Sequence, residues 1–144
     1  MRRRGFLAVA GALVLLGVGA EAQQSTKVYR IAMVHPSYAV SEMTETGSLP
    51  YYRAFFDELR RLGYSEGRNL LIDRYSAEGL IENYRALART VVSHNPDLIF
   101  TIGSPMAKAL KEETSSIPIV LAASDPVAEG LTNSLHGQPE ILRV

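Results

Sequence analysis

Four runs of β-forming residues, each separated from the next by a stretch of helical periodicity, narrow most sharply what this chain can fold into. Val28-Tyr29-Arg30-Ile31-Ala32-Met33-Val34 is the first and ends at His35-Pro36. Leu70-Leu71-Ile72-Asp73-Arg74-Tyr75 is the second and Leu98-Ile99-Phe100-Thr101-Ile102 the third. Ile117-Pro118-Ile119-Val120-Leu121-Ala122 is the fourth. Such runs read as strands, and the near-continuous apolar character of 98–102 suits a strand covered on both faces. Between the first two, residues 37–49 have no clear period and read as loop. Pro50, a favoured first-turn residue, then opens a stripe at Tyr52, Phe55, Phe56, Leu59 and Leu62 that stops at Gly63. Tyr84, Leu87, Ala88, Val91 and Val92 form a second stripe, stopped by Pro96. Met106, Ala109 and Leu110 form the buried side of a third, with Ser104 as its cap and Pro105 at its first position. Asp125-Pro126 is placed to cap a further short helix.

The order β-α-β-α-β-α-β predicts an α/β fold: a three-layer, doubly wound parallel sheet in one Rossmann-like lobe. Sheets of this kind bind ligands beyond the carboxyl ends of their strands. That rule selects three loops: His35-Pro36-Ser37-Tyr38, Gly103-Ser104-Pro105 and Ala123-Ser124-Asp125-Pro126.

The chemistry in those loops favours binding over catalysis. A nucleophile elbow around Ser104 needs glycine at 102 and 106, where Ile102 and Met106 stand. Helix capping is the simpler reading of Ser104 and Asp125, although the exposed amides of a helix start also attract carboxylates. No phosphate loop or dinucleotide fingerprint is present, and His35-Pro36 stands where a phospho-accepting receiver carries acidic residues. His35 can hydrogen-bond a ligand or serve the loop itself. Tyr38, Tyr51 and Tyr52 are aromatic candidates for a pocket wall, and the apolar stripe assigns Tyr52 to the core. Lys108, Lys111, Glu112 and Glu113 read as a solvated helix face. There is no Cys, so thiolate metal sites and a cysteine nucleophile are excluded. The three His, at 35, 94 and 136, have no paired ligand spacing. No cofactor is called for.

The start of the chain reads as an export address. Arg2, Arg3 and Arg4 precede an uncharged run of 15 residues from Phe6 to Ala20, and Ala20-Glu21-Ala22 fits the small-x-small cleavage pattern. The run is shorter than the roughly 18 residues that span a bilayer, so no stable membrane insertion is expected after cleavage behind Ala22. Arg3-Arg4-Gly5-Phe6-Leu7 also fits the twin-arginine pattern. Of 15 basic and 15 acidic residues, residues 1–22 hold Arg2, Arg3, Arg4 and Glu21. The remainder keeps 12 and 14, a net charge of −2. That balance gives no electrostatic reason to seek nucleic acid.

An ordered set of short segments resembles a known family. The segments are Arg2 through Leu7 with Ala22-Gln23-Gln24, Tyr29-Arg30-Ile31, Phe55 through Gly63-Tyr64-Ser65-Glu66-Gly67-Arg68-Asn69, Ala77-Glu78-Gly79, and Ile117-Pro118-Ile119-Val120 with Ser124-Asp125-Pro126-Val127. Together they resemble the periplasmic substrate-binding components of ABC transporters, of the broad and mostly uncharacterised class in which some members bind aromatic amino acids. The resemblance implies a type I periplasmic binding protein, with two α/β lobes closing on a ligand and an ABC permease as the partner of a full-length relative. It implies that residues 23–135 form the N-terminal lobe, exported to the periplasm. His35, Ser37, Tyr38, Gly103, Ser104, Ser124 and Asp125 then lie on that lobe's half of the cleft, with Ser104 and Ser124 holding a carboxylate and Tyr38 stacking on an apolar or aromatic group.

The resemblance stops after Leu135. The family continues with a stretch like Pro-Gly-Gly-Asn-Ile-Thr-Gly, whereas residues 136–144 diverge. One choice of codons for Gly137 through Val144, read two bases later, would encode Pro-Ala-Gly-Asn-Ile-Thr-Gly, so a frameshift near His136 and a chain reduced to one impaired lobe are expected. Three alternatives stay open: a secreted small α/β hydrolase, a sugar-binding or regulatory lobe of the same fold, and a non-functional truncated product.

Overall fold

The structure is a computed structural model that describes residues 27–122. The export segment 1–22, the 123–126 loop with Ser124 and Asp125, and the divergent tail 136–144 lie outside the described residues. The four expected strands form one parallel sheet: β1 (Tyr29–His35), β2 (Leu70–Ser76), β3 (Leu98–Ile102) and β4 (Ile119–Ala122), in the order β2-β1-β3-β4. Three helices connect them: α1 (Pro50–Arg61), α2 (Tyr84–Ser93) and α3 (Ser104–Glu113). The first crossover runs from β1 to β2 on one side. The second then passes back over β1 to β3, and the third continues outward to β4. This is the doubly wound arrangement that the alternation predicts.

Side-chain alternation along β1 builds two cores. Ile31 and Met33 face α1 and pack with Met43, Tyr52, Phe56, Leu70, Ile72 and Phe100. Ala32 and Val34 face the other way, against Ala88 and Val91 of α2, Met106 and Leu110 of α3, and Ile99 and Ile119. The α1 face is filled with aromatic rings and methionines. The opposite face is aliphatic and must accommodate two helices. Ile99, Phe100 and Thr101 of β3 are all buried, as expected of a strand covered on both sides. Buried Thr101 satisfies its hydroxyl by donating to the Val34 carbonyl at 3.1 Å.

Three local details differ from expectation. The 37–49 segment is not uniformly irregular: Val40–Glu42 forms a 3-10 turn, and the Ser48 hydroxyl donates to Glu42 at 2.5 Å. Gly103, not Ser104, is the cap of α3, so Ser104 is the first helical residue and Pro105 the second, and no side chain caps that helix. Glu112 and Glu113 do more than face solvent, since they pair with Arg85 and Arg89 of α2 at 3.1 and 3.2 Å. Exposed pairs of this kind contribute about 0–1 kcal/mol each. No helix among the described residues is long and apolar enough to cross a membrane.

Candidate functional site

The strand order changes direction between β1 and β3. The chain leaves β1 toward β2 and leaves β3 toward β4, so the loops after these two strands flank the point at which sheets of this kind bind ligands. Both predicted loops lie there. A Cβ on Gly103 would stand 3.9 Å from Pro36 Cγ, which places the two loops in near contact. Gly103 has φ +81°, in the region that favours glycine. This conformation turns the backbone from β3 into α3 within one residue.

Ser104 follows immediately. Its residue is only 3% exposed, and among the described residues its hydroxyl oxygen has no hydrogen-bond partner. Buried hydroxyls are normally paired, so one without a partner needs an explanation. It lies in the first turn of α3, where backbone N–H groups have no intrahelical acceptor and the helix dipole favours negative charge. A carboxylate brought there would meet donors from both the backbone and Ser104.

His35 closes β1 and is 4% exposed. Its Nδ1 accepts the backbone N–H groups of Ser37 at 3.0 Å and Tyr38 at 2.8 Å. With Nδ1 accepting, the ring proton sits on Nε2, which donates to the Tyr51 hydroxyl at 3.3 Å. Burial pushes the imidazole below its ordinary value of 6.5, because desolvation disfavours the charged form. Both ring nitrogens are therefore engaged within the chain.

The result is an aromatic shelf. The Tyr38 ring lies 4.8 Å from the His35 ring and is 48% exposed. The Tyr51 ring is parallel to His35 within 8° at 6.5 Å. Tyr52 lies beneath, 4.8 Å from Tyr51 and fully buried, as its place on the apolar stripe predicts. Its hydroxyl too has no partner among the described residues, and burial, with Tyr51 adding to it, drives its ionisation far above the usual tyrosine range. Ser37 is exposed on the loop.

The structure also brings in a segment that periodicity did not select. The Ala77 N–H donates to the His35 carbonyl at 3.0 Å, and the Gly79 N–H to the Pro36 carbonyl at 2.9 Å. The turn after β2 thus supports the turn after β1. The only signal for it was the Ala77-Glu78-Gly79 segment of the family resemblance. Of the predicted site, His35, Ser37, Tyr38, Gly103 and Ser104 are gathered at one end of the sheet.

The profile of the ABC transporter substrate-binding protein family matches residues 37–141. The chain belongs to this family. Among curated relatives, a tyrosine-binding protein of Clostridioides difficile is 36% identical over 99 residues, covering 67% of this chain and 29% of the relative. Two solved structures are similar at the level of structure and sequence. A conserved domain protein from Vibrio cholerae is 32% identical at a TM-score of 0.63, covering 76% of this chain and 35% of that one. The ligand-free, open form of a Clostridium difficile substrate-binding protein with adhesive properties is 30% identical at 0.62, covering 75% and 35%. An ABC domain from Streptococcus pneumonia, solved with L-Trp, is 23% identical at 0.61, covering 74% and 34%, and supports the fold. The chain spans about a third of the length of these relatives.

Proposed function

We propose that this chain provides one wall of the ligand cleft of an exported solute-binding protein that serves an ABC importer, and that its solute is an amino acid with an aromatic side chain. The observation that carries the reading is the pairing, at the strand-order reversal, of the unpartnered Ser104 hydroxyl with the exposed Tyr38 ring. A carboxylate suits the first turn of α3, and an aromatic side chain suits Tyr38. The curated relative that binds tyrosine has the matching chemistry. Ser37 and Gly103 line the approach. Ser124 and Asp125, outside the described residues, are assigned to the same cleft, with Ser124 joining Ser104 as a carboxylate partner. His35 serves the site from behind by shaping the loop. The role is binding rather than turnover. The exported form begins after Ala22, works in the periplasm, and passes its ligand to a permease.

Thermal unfolding of the full chain with L-tyrosine, L-phenylalanine, L-alanine and glucose in turn tests the reading. A rise in Tm with the aromatic amino acids alone, growing with concentration as mass action requires, is the expected result. A rise with glucose alone, or with none of the four, overturns it.

A further inference from the structure

The His35 ring holds the loop that carries Tyr38 through one atom. Nδ1 accepts two adjacent backbone amides, from Ser37 and Tyr38, at 3.0 and 2.8 Å. No other hydrogen bond within the described structure satisfies those two N–H groups. The arrangement requires a lone pair on Nδ1, and therefore a neutral ring. A protonated imidazole is a donor at both nitrogens. It would face two N–H groups with a third, and both bonds would be lost. The Nε2 side is indifferent to this change, because Nε2 carries its proton in either state and Tyr51 remains an acceptor.

The surroundings make the ring's charge state depend on solvent pH rather than on a neighbouring ion. The groups facing it are the phenols of Tyr38 on its own loop and of Tyr51 and Tyr52 on α1. From β2 the register partner is Ser76. The turn that follows carries one carboxylate, Glu78, which is exposed. Glu42, on the 3-10 turn, is occupied by Ser48. The end of β3 carries neutral Thr101 and Ile102. Among the described residues no ion pair stabilises a charged His35, and burial opposes one.

We propose that His35 is a positioning residue whose neutral ring holds the 36–38 loop in its cleft-forming shape and whose protonation releases that loop. The consequence for ligand, which rests on the function proposed above, is that affinity for an aromatic amino acid falls in acid as Tyr38 loses its fixed position. Neither the ring tautomer nor the two amide bonds depends on what the cleft binds.

The test follows the backbone amides of Ser37 and Tyr38 in the 15N-labelled full chain from pH 8 to pH 5, beside the ring nitrogens of His35. The expected result is a neutral Nε2–H tautomer at pH 8. The protection factors of both amides should then drop about tenfold or more over the pH range in which the ring titrates. Protection that stays level through that titration overturns the proposal. Two variants separate positioning from packing. His35→Asn keeps an oxygen acceptor near the place of Nδ1 and does not titrate, so it should keep both amides protected at every pH. His35→Phe fills the same space without an acceptor. It should lose the two protections at pH 8 while the amides of β3 keep theirs. An Asn variant that still loses protection in acid, or a Phe variant that keeps it, overturns the proposal. L-tyrosine titrations at pH 8 and pH 5.5 form a separate arm. Wild type should bind more weakly at pH 5.5, and His35→Asn equally at both. If wild type binds L-tyrosine at neither pH, the proposed ligand fails, and the amide measurements still decide the role of His35.

Discussion

The two ends of the same sheet treat their polar groups in opposite ways. At the amino ends of the strands, the polar groups are tied to one another. Asp97 accepts from Lys27 Nζ and from the Arg30 N–H, both at 2.8 Å. Asn69 accepts the Ser65 N–H at 2.9 Å and donates to the Gly63 carbonyl at 3.0 Å, where Arg68 donates as well. The Thr114 hydroxyl accepts the N–H groups of Ser116 and Ile117. These bonds join each incoming loop to the start of a strand. At the carboxyl ends, the rings of Tyr38, Tyr51 and Tyr52 gather around a neutral His35, and among the described residues the buried hydroxyl of Ser104 has no partner. A polar group that has its partner inside the chain contributes to stability. A buried one without a partner costs free energy in the folded state, and that cost is recovered when a ligand supplies the partner. The difference fits the proposed function, with holding the fold at one end and recognition at the other.

The strongest way to break this division is to damage what both ends share. Phe100 sits in central β3, with its ring 4.5 Å from Phe55 and 6.1 Å from Tyr52. Phe100→Ala should destabilise the chain by about 3–5 kcal/mol, through lost burial and the cavity left behind. A denaturant titration measures it. The response to L-tyrosine should vanish with the fold, because Tyr52 underlies the aromatic shelf. A cost below about 1 kcal/mol would mean that the α1-side core does not couple the two ends.

A smaller effect separates the ends. Asp97→Ala removes the acceptor of the Arg30 N–H at the start of β1 and should cost about 1 kcal/mol, since the site is largely solvent-exposed. L-tyrosine affinity should not change, and a loss of affinity without loss of stability would undo the division. Acid separates the ends as well. The hydrogen bond from Lys27 holds the Asp97 carboxyl below its ordinary 3.8, with the Arg30 N–H adding to it. Its contribution is therefore complete above that value and is lost as pH falls through the lower folded value. His35 is also depressed, from 6.5. Its share is complete above about 6.5 and is lost as pH falls through its own folded value. Unfolding free energy measured from pH 8 to pH 2 should therefore decline first with His35, at the carboxyl end of the sheet, and then with Asp97 together with the other depressed carboxyls, Glu42, Glu58 and Glu66. His35→Asn should remove only the upper step.

How much of this was legible in the sequence follows from the range of each interaction. The strands and helices are local patterns, and their apolar periods placed all seven elements to within a residue or two. The loops at the carboxyl ends of the strands were legible too, because chain direction alone selects them; that two of them flank the reversal of strand order appears only in the sheet. What periodicity does not reveal is which atom meets which across the fold. The tautomer of His35 is set by amides two and three residues onward, and only the loop geometry shows that they converge on Nδ1. The pairing of Glu112 and Glu113 with Arg85 and Arg89 spans 27 and 24 residues and depends on how α2 packs on α3. The turn at 77–79 reaches the site because β2 pairs with β1 in parallel register through His35 and Ser76. Ser104 was selected as a helix cap by its position before Pro105. The positive φ of Gly103 accompanies a cap one residue earlier, and no side chain caps the helix.

The smallest expected change in stability is the most telling. Had Ser104 been the cap of α3, replacing it with alanine would cost about 1 kcal/mol by removing a bond to the first helical amides. In the observed geometry Ser104 makes no such bond, and among the described residues its buried oxygen has no partner. Ser104→Ala removes a buried polar atom without a partner among those residues and improves helix propensity slightly. The unliganded variant should therefore be as stable as wild type, within about 0.5 kcal/mol, or slightly more stable. The same change should reduce L-tyrosine affinity by roughly tenfold or more, because a carboxylate in that first turn loses a charge-assisted bond of about 1.5–3 kcal/mol. Parallel denaturant and binding titrations give both numbers. Lost stability with unchanged affinity would make Ser104 a structural residue and leave the carboxyl end of the sheet without its main polar contact. Unchanged stability with lost affinity is the outcome that the difference between the two ends of the sheet requires.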